Sequence, residues 1–352
     1  MNRIKRTCIV CLIPLLMTSL AGCNNSVNEQ RNNFVFAGAV TLNDGSQDKG
    51  IFLHNWKEKT NTKLFPLDEN TWIVNMNYSE DHNKIIALTN QFEILEYNLV
   101  ENEINTIINR AMLEKLLSEA QSIVTSDEVL SDNAYENKAI HNVFYYEDGI
   151  AFDYQCSLYY LSGKDDSLQI KKKDNLPEFD RCYYVNRDQL ILEIGEQERG
   201  TYTLEPHHVE FYLYNPQNET MELLFGLENV QYNCLGTDKL ICFNQERTRI
   251  AVSNKHEEPN YCCCKIFDIE SKSFLTTVGQ NKQSKIKMDI TELHLLLDSN
   301  EVIADFLTND TMVSGVILDL YILSERGLEK ANHKSFPLNG QKYGIDYITC
   351  AL

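Results

Sequence analysis

The sequence predicts an all-β fold built from repeated pairs of hairpins, and three observations carry that expectation. After residue 33 most segments are short, rich in Tyr, Phe, Ile and Val, and bounded by Asn, Asp, Ser or Gly, which is how strands and their turns read. A double hairpin recurs along the chain, the mark of a repeat architecture. Only one window shows a convincing helical period.

The first hairpin of the repeat, two apolar strands around a tight polar turn, occupies 75–90 and returns at 141–155, 180–196, 240–254 and 293–309. Each copy is followed by a second hairpin, at 92–108, 157–173, 209–225, 263–279 and 318–333. The early segments 34–42 and 51–65 supply a sixth second hairpin without its first strand. Measured from 51, 92, 157, 209, 263 and 318, the spacings are 41, 65, 52, 54 and 55 residues, so six units account for the chain. The strand missing from the first unit is expected from 343–350, because a closed ring leaves no inner edge unpaired. The long spacing of 65 holds the helix: Leu113, Leu116, Leu117, Ala120 and Val124 form one apolar stripe with acids opposite, an insertion expected over 110–130.

These hairpin pairs resemble the blades of TolB-like and WD40-like β-propellers, in which an inner hairpin of the form S-P-D-G-K-x-I-A precedes an outer strand of the form Y-D-x-x-T-G. Ser79-Glu80-Asp81-His82-Asn83-Lys84-Ile85-Ile86-Ala87 and Lys265-Ile266-Phe267-Asp268-Ile269-Glu270-Ser271-Lys272 carry the likeness best. It implies a six-bladed β-propeller of four-stranded antiparallel blades over 34–352, interrupted by one helical insertion. Glycine is sparse, 15 of 352 residues where about 7% is usual, so aspartate and asparagine are expected to serve most turns.

Residues 1–22 carry Arg3, Lys5 and Arg6, no acid, and an apolar run from Cys8 to Met17 that is too short for a stop-transfer helix, which together read as a secretory signal peptide. The run ends in Leu20-Ala21-Gly22-Cys23, which resembles the lipobox of bacterial lipoproteins. That resemblance implies cleavage before Cys23, a diacylglycerol on its thiol, further acylation with chains of the palmitate class, and a place on the extracytoplasmic face of the cell membrane within the envelope. Residues 23–33 then form the lipidated cysteine and a polar tether, with a typical reach of roughly 18 Å. Two or more acyl chains anchor stably without a span, at about 0.8 kcal/mol per buried methylene.

Composition excludes several functions. With 43% hydrophobic and 24% charged residues the chain is globular, and a net charge of -19, or -22 once the three cations of the leader are removed, repels nucleic acid. His256-Glu257-Glu258-Pro259 lacks the second histidine of a zinc protease, and Pro259 forbids the helix that chemistry needs. Neither G-x-S-x-G nor a glycine-rich phosphate loop occurs, and Asn43-Asp44-Gly45 is a hairpin turn rather than a calcium loop. His207-His208 beside Glu205 reads as a solvated loop before it reads as a metal site. Of 11 cysteines, Cys8 and Cys11 lie in the leader and Cys23 takes lipid; the remaining eight permit disulfides whose connectivity the sequence does not choose, and they read as small buried hydrophobes before they read as a zinc site. No cofactor, metal or catalytic residue is called for.

The turns inside the first hairpins are tight, whereas the loops joining first to second hairpins swell at 195–208 and 254–260, and the 110–130 insertion falls on that same end. Long loops on a rigid scaffold are where binding resides. Glu196, Glu198, Tyr202, Glu205, His207, Glu257 and Glu258 therefore form the candidate binding face, and a protein or peptide of the envelope is the expected partner. The alternative is a calcium-dependent hydrolase resembling propeller lactonases, whose ion would sit in the central channel. Asn75, Asn77 and Asn142 are its visible candidate ligands on inner strands.

Overall fold

The computed structural model describes residues 33–41, 47–55, 60–79, 83–121, 130, 140–147, 149–163, 167–195, 207–230, 241–253, 264–278, 288–297, 300–308, 319–324, 327–330 and 345–349. These form six four-stranded antiparallel sheets and one helix. The first sheet joins both ends of the chain: β1 (Asn33–Thr41), β2 (Gln47–Asn55) and β3 (Thr60–Pro66) are completed by β24 (Ile345–Thr349) on the inner side. The second runs β4 (Ile73–Tyr78), β5 (Lys84–Thr89), β6 (Ile94–Asn98) and β7 (Glu103–Ile108), and leads into α1 (Arg110–Gln121).

The third comprises β8 (Ile140–Tyr146), β9 (Gly149–Tyr154), β10 (Ser157–Ser162) and β11 (Gln169–Lys172). The fourth comprises β12 (Arg181–Asn186), β13 (Gln189–Gly195), β14 (His207–Asn215) and β15 (Thr220–Val230). The fifth is β16 (Ile241–Phe243), β17 (Arg249–Ser253), β18 (Cys264–Asp268) and β19 (Ser273–Val278). The sixth is β20 (Met288–Leu296), β21 (Val302–Thr308), β22 (Asp319–Ser324) and β23 (Gly327–Lys330).

Each sheet is a simple meander, and its first strand packs against its neighbours around a common axis: β24 on β4, β4 on β8, β8 on β12, β16 on β20 and β20 on β24. The fourth and fifth sheets meet through Tyr183, Phe211, Phe225, Ile250 and Phe267. The chain is an all-β propeller, with one helix among the described residues. Its closing strand is the C-terminal one, with Val35 opposite Thr349, Phe36 opposite Ile348 and Ala37 opposite Tyr347 before a bulge at Gly38.

Alternation explains how the blades pack. In β8, Val143 and Tyr145 face the second blade while Phe144 and Tyr146 face the fourth, so one strand feeds two cores. Stacked rings fill the spaces, among them Phe36 on Phe52, Phe144 on Tyr184 and Phe211 on Phe225. Helix α1 is capped by Asn109, whose side-chain oxygen accepts from the Met112 amide at 3.0 Å. It buries Leu113, Leu116 and Leu117 in the core between the second and third blades, as the stripe predicts, while Val124 lies outside the described residues. Among the described residues no helix is long and apolar enough to cross a membrane.

Asparagine and aspartate serve many of the turns as expected: the side-chain oxygens of Asn98, Asn186, Asn215 and Asp268 accept from amides two or three residues on. Among the described residues ten other than glycine have positive φ, and Asn102, Asn175 and Asn300 are the asparagines among them. Phe92, Glu147, Gln155, Cys156, Glu219, Arg247 and Lys272 hold the same left-handed conformation. Local turn hydrogen bonds, such as Phe92 N to Thr89 O at 3.0 Å and Arg247 N to Asn244 O at 3.0 Å, accompany this conformation at two of these positions. The Asn43-Asp44-Gly45 turn lies outside the described residues, although β1 and β2 on either side pair throughout.

Two predictions follow from this packing. Removing 341–352 strips β24 from β1 and exposes an inner edge, which should lower stability by several kcal/mol, about enough to move a thermal midpoint by more than a few degrees; calorimetry of the truncated chain checks this. At the interface of the third and fourth blades, burial, followed by the charges of Glu147 and Asp188, pushes the Tyr146 hydroxyl up to about 12, and burial likewise raises Tyr160 and Tyr214. Because the folded protein favours the neutral phenols, their contribution is intact below about pH 10 and is lost as pH rises through about 12. Phenolate absorbance should therefore rise in two steps, the later one coincident with loss of fold.

Candidate functional site

The inner strands carry a polar network where an apolar core would ordinarily continue. Asn75 and Asn77 lie on the face of β4 turned to β8; a bulge between Ile73 and Asn75 brings both to that side. Asn75 Nδ2 donates to Asn142 Oδ1 at 3.0 Å, and Asn75 Oδ1 accepts from Val143 N at 3.0 Å and from Asn77 Nδ2 at 3.0 Å. Asn77 Nδ2 also donates to Val143 O at 2.7 Å. One blade further on, Asp153 of β9 is 1% exposed. Its Oδ1 accepts from the His141 and Asn142 amides at 2.7 and 2.8 Å, and its Oδ2 from Asn142 Nδ2 at 2.8 Å and the Cys182 amide at 3.3 Å. The network thus links the second, third and fourth blades.

The fifth blade joins through Arg247, in the turn between β16 and β17. Its Nη2 donates to Asn77 Oδ1 at 2.5 Å, across the axis on the second blade, and its Nη1 donates to the Tyr184 carbonyl on the fourth. The guanidinium lies over the rings of Tyr184 and Phe243, 5.4 Å from each centroid. A planar cation with several donors suits this place, since it satisfies two neutral oxygens while stacking on two aromatic faces.

This arrangement decides what the three asparagines do. Calcium takes six to eight oxygen ligands. The side-chain oxygens of Asn75, Asn77 and Asn142 all accept from protein N–H groups, and a guanidinium of the same chain occupies the position beside Asn77. Among the described residues no group of three His, Cys, Asp or Glu side chains is placed to hold a metal ion. In this structure the three asparagines expected as ligands are engaged with one another and with backbone and guanidinium donors. Burial, with the Asp153 charge nearby, pushes the Cys182 thiol well above its ordinary range and leaves it a neutral, unreactive hydrophobe. Cys242 and Cys264 are likewise buried, and Cys156 is half-buried.

Of the candidate face, Glu196, Glu198, Tyr202, Glu205, Glu257 and Glu258 lie outside the described residues, as does Cys23. His207 begins β14, its backbone opposite Val230. The ring of the neighbouring His208 contacts Glu210 at 3.2 Å and Glu228 at 3.0 Å. The topology places the C-terminal ends of β13 and β17, the β5–β6 turn and the start of α1 at one end of the propeller.

At that end sequence reasoning missed Trp72, 49% exposed at the entrance to β4. Its amide donates to Asn90 Oδ1 at 2.9 Å, and its carbonyl accepts from the Asn90 amide at 3.0 Å, so the exposed indole stands on a fixed backbone. Its only sequence signal is that it is one of two tryptophans.

Comparison with solved structures finds distant likenesses. The β-propeller domain of the Trilobed protease from Pyrococcus furiosus matches at TM-score 0.43 and 14% identity, covering 85% of this chain and 81% of that one. The β-propeller domain of Myceliophteria thermophila Cps50 (Swd1) matches at 0.42 and 8%, covering 78% and 91%. A chain of the Mitotic Checkpoint Complex matches at 0.40 and 11%, covering 87% and 75%. No protein-family model matches the chain, and no curated protein does.

Asp153→Ala leaves four buried N–H groups without their acceptor and should cost about 3–5 kcal/mol in denaturant unfolding. Arg247→Met keeps apolar contact with Tyr184 and Phe243 but removes both donors, and should cost less, about 1–3 kcal/mol.

Proposed function

We propose that this protein is a lipid-anchored, extracytoplasmic propeller of six blades that binds a protein or peptide of the cell envelope through its loop-bearing end. The observation that carries the reading is Trp72: a half-exposed indole fixed by Asn90 at the end where the long loops emerge. Tryptophan is the side chain most enriched among residues that dominate binding energy, because it presents a large rigid area at small entropic cost. The axis supports the same reading by subtraction, since its polar groups are spent on holding blades together. Anchoring rests on the lipobox at Leu20 to Cys23 and the polar tether behind it. Glu196, Glu198, Glu205, Glu257 and Glu258 would give the face an acidic field that draws a cationic partner within about a Debye length, roughly 8 Å at physiological salt.

The test is cross-linking and capture from intact membranes. Cys23→Ser should move the protein to the soluble fraction. Trp72→Ala, and the triple substitution of Tyr202, Glu205 and His207 by Ala, should weaken capture of the partner without shifting the melting temperature. Substitutions in the tight turn from Glu80 to Asn83 should leave capture unchanged. Membrane retention of the Cys23→Ser protein, or capture lost in the turn variants and kept in the others, refutes the proposal.

A further inference from the structure

The outer edges of the sheets are not alike. Five outer strands are short, from four residues in β11 and β23 to seven in β3, and β3, β11 and β23 carry lysine, with a proline as well in β3. Short edges, lysine and proline are the usual means of preventing a stray strand from pairing. The fourth blade ends instead in β15, eleven residues with neither lysine nor proline, hydrogen-bonded on its inner side to β14 and terminal in its sheet. Its apolar side chains are also unusually placed. Met221 and Leu223 are 42% and 49% exposed, and Phe274 and Leu275, 42% and 49% exposed, lie on the outer strand of the next blade. The two strands are joined by Lys272 to Glu222 at 2.7 Å and by the rings of Phe225 and Phe274 at 5.5 Å. Four of the six large hydrophobic residues exposed among the described ones therefore share one arc of the rim.

The register sorts the two faces of this edge. Phe211, Phe225 and Leu227 enter the core shared with the fifth blade, and Glu222 turns to the same side. Met221 and Leu223 lie on the opposite face, opposite Tyr214 and Tyr212 on β14. Along that face acids interleave: Glu210, whose carboxyl is held below its ordinary value by the hydroxyl of Tyr212 and by His208, and Glu228, largely exposed.

We infer that the β15 edge is the docking site for an extended segment of a partner protein, added as a fifth strand, in which apolar residues alternate with lysine or arginine. Strand addition supplies affinity through main-chain hydrogen bonds and specificity through alternate side chains. Apolar residues of the segment pair across the strand with Met221 and Leu223, and its cations meet Glu210 and Glu228 on a chain of net charge -19. The site lies on the rim rather than at the loop-bearing end, so the inference extends the binding reading and its failure leaves the Trp72 face untouched.

The test uses the full chain in detergent and a capped peptide of about ten residues in which valine alternates with lysine and threonine. The peptide should bind, and M221K/L223K, which alters only exposed side chains, should weaken it by about tenfold or more at unchanged melting temperature. Replacing the peptide's lysines by glutamate, or methylating alternate backbone nitrogens, should abolish binding. Amide exchange on the unsubstituted protein supplies a readout independent of the variant: protection should fall on 220–224. Binding indifferent to N-methylation, protection located elsewhere, or no binding overturns the inference. So does self-association that protects β15 without peptide, which would assign the edge to a second copy of the chain.

Discussion

The carboxylate of Asp153 is the constraint around which the inner strands are arranged. It is buried, it accepts from four N–H groups in two blades, and each donor would otherwise lack that partner in a low-dielectric interior. Apolar burial is non-directional, whereas hydrogen bonds are directed. The five apolar clusters, four shared by a pair of neighbouring blades and one by the sixth, first and second, supply most of the cohesion. The chain from Arg247 through Asn77, Asn75 and Asn142 to Asp153 fixes how those blades are set relative to one another.

What was legible in the sequence is what is local. Hairpins such as β4–β5 and β8–β9 announce themselves by alternation around a polar turn, and α1 by the spacing of Leu113, Leu116 and Leu117, since in each the pattern and the structure lie within about twenty residues. The pairing of β24 with β1 is the one long-range contact that could be read, and it followed from closure: a ring with an unpaired inner strand is not a stable end point. The bond from Arg247 to Asn77 joins residues 170 apart and has no periodicity to betray it. Asn75 and Asn142 were visible as polar residues on inner strands. Whether their oxygens would face an ion or an N–H depended on a bulge in β4 and on an arginine in a remote turn. Trp72 stayed hidden because a single aromatic in a connection looks like any other core residue until its exposure is known.

Poverty in glycine has a structural consequence. Seven positive-φ positions are held by residues other than glycine or asparagine, each at a cost of roughly 1–2 kcal/mol. Such conformations persist only where surroundings over-determine them. At Arg247 that determination is visible: its amide bonds to Asn244, and its side chain is gripped by two blades and two rings. The strained turn and the tie across the axis are one device, because the left-handed residue aims the side chain that makes the tie.

Closure solves the edge problem only on the inside. Every innermost strand, β24 included, is walled in by its neighbours, but a meander must end somewhere, and each blade therefore leaves one outer strand with a free row of amides. Blunting that row with lysine, proline or brevity costs nothing in the core, since the residues concerned face solvent, and β3, β11 and β23 are blunted in these ways. The same freedom was available in β15. An eleven-residue edge that keeps Met221 and Leu223 in water forgoes an inexpensive protection, and in a propeller whose axis is committed to internal ties, the rim and the loop ends are the surfaces left on which recognition can be built.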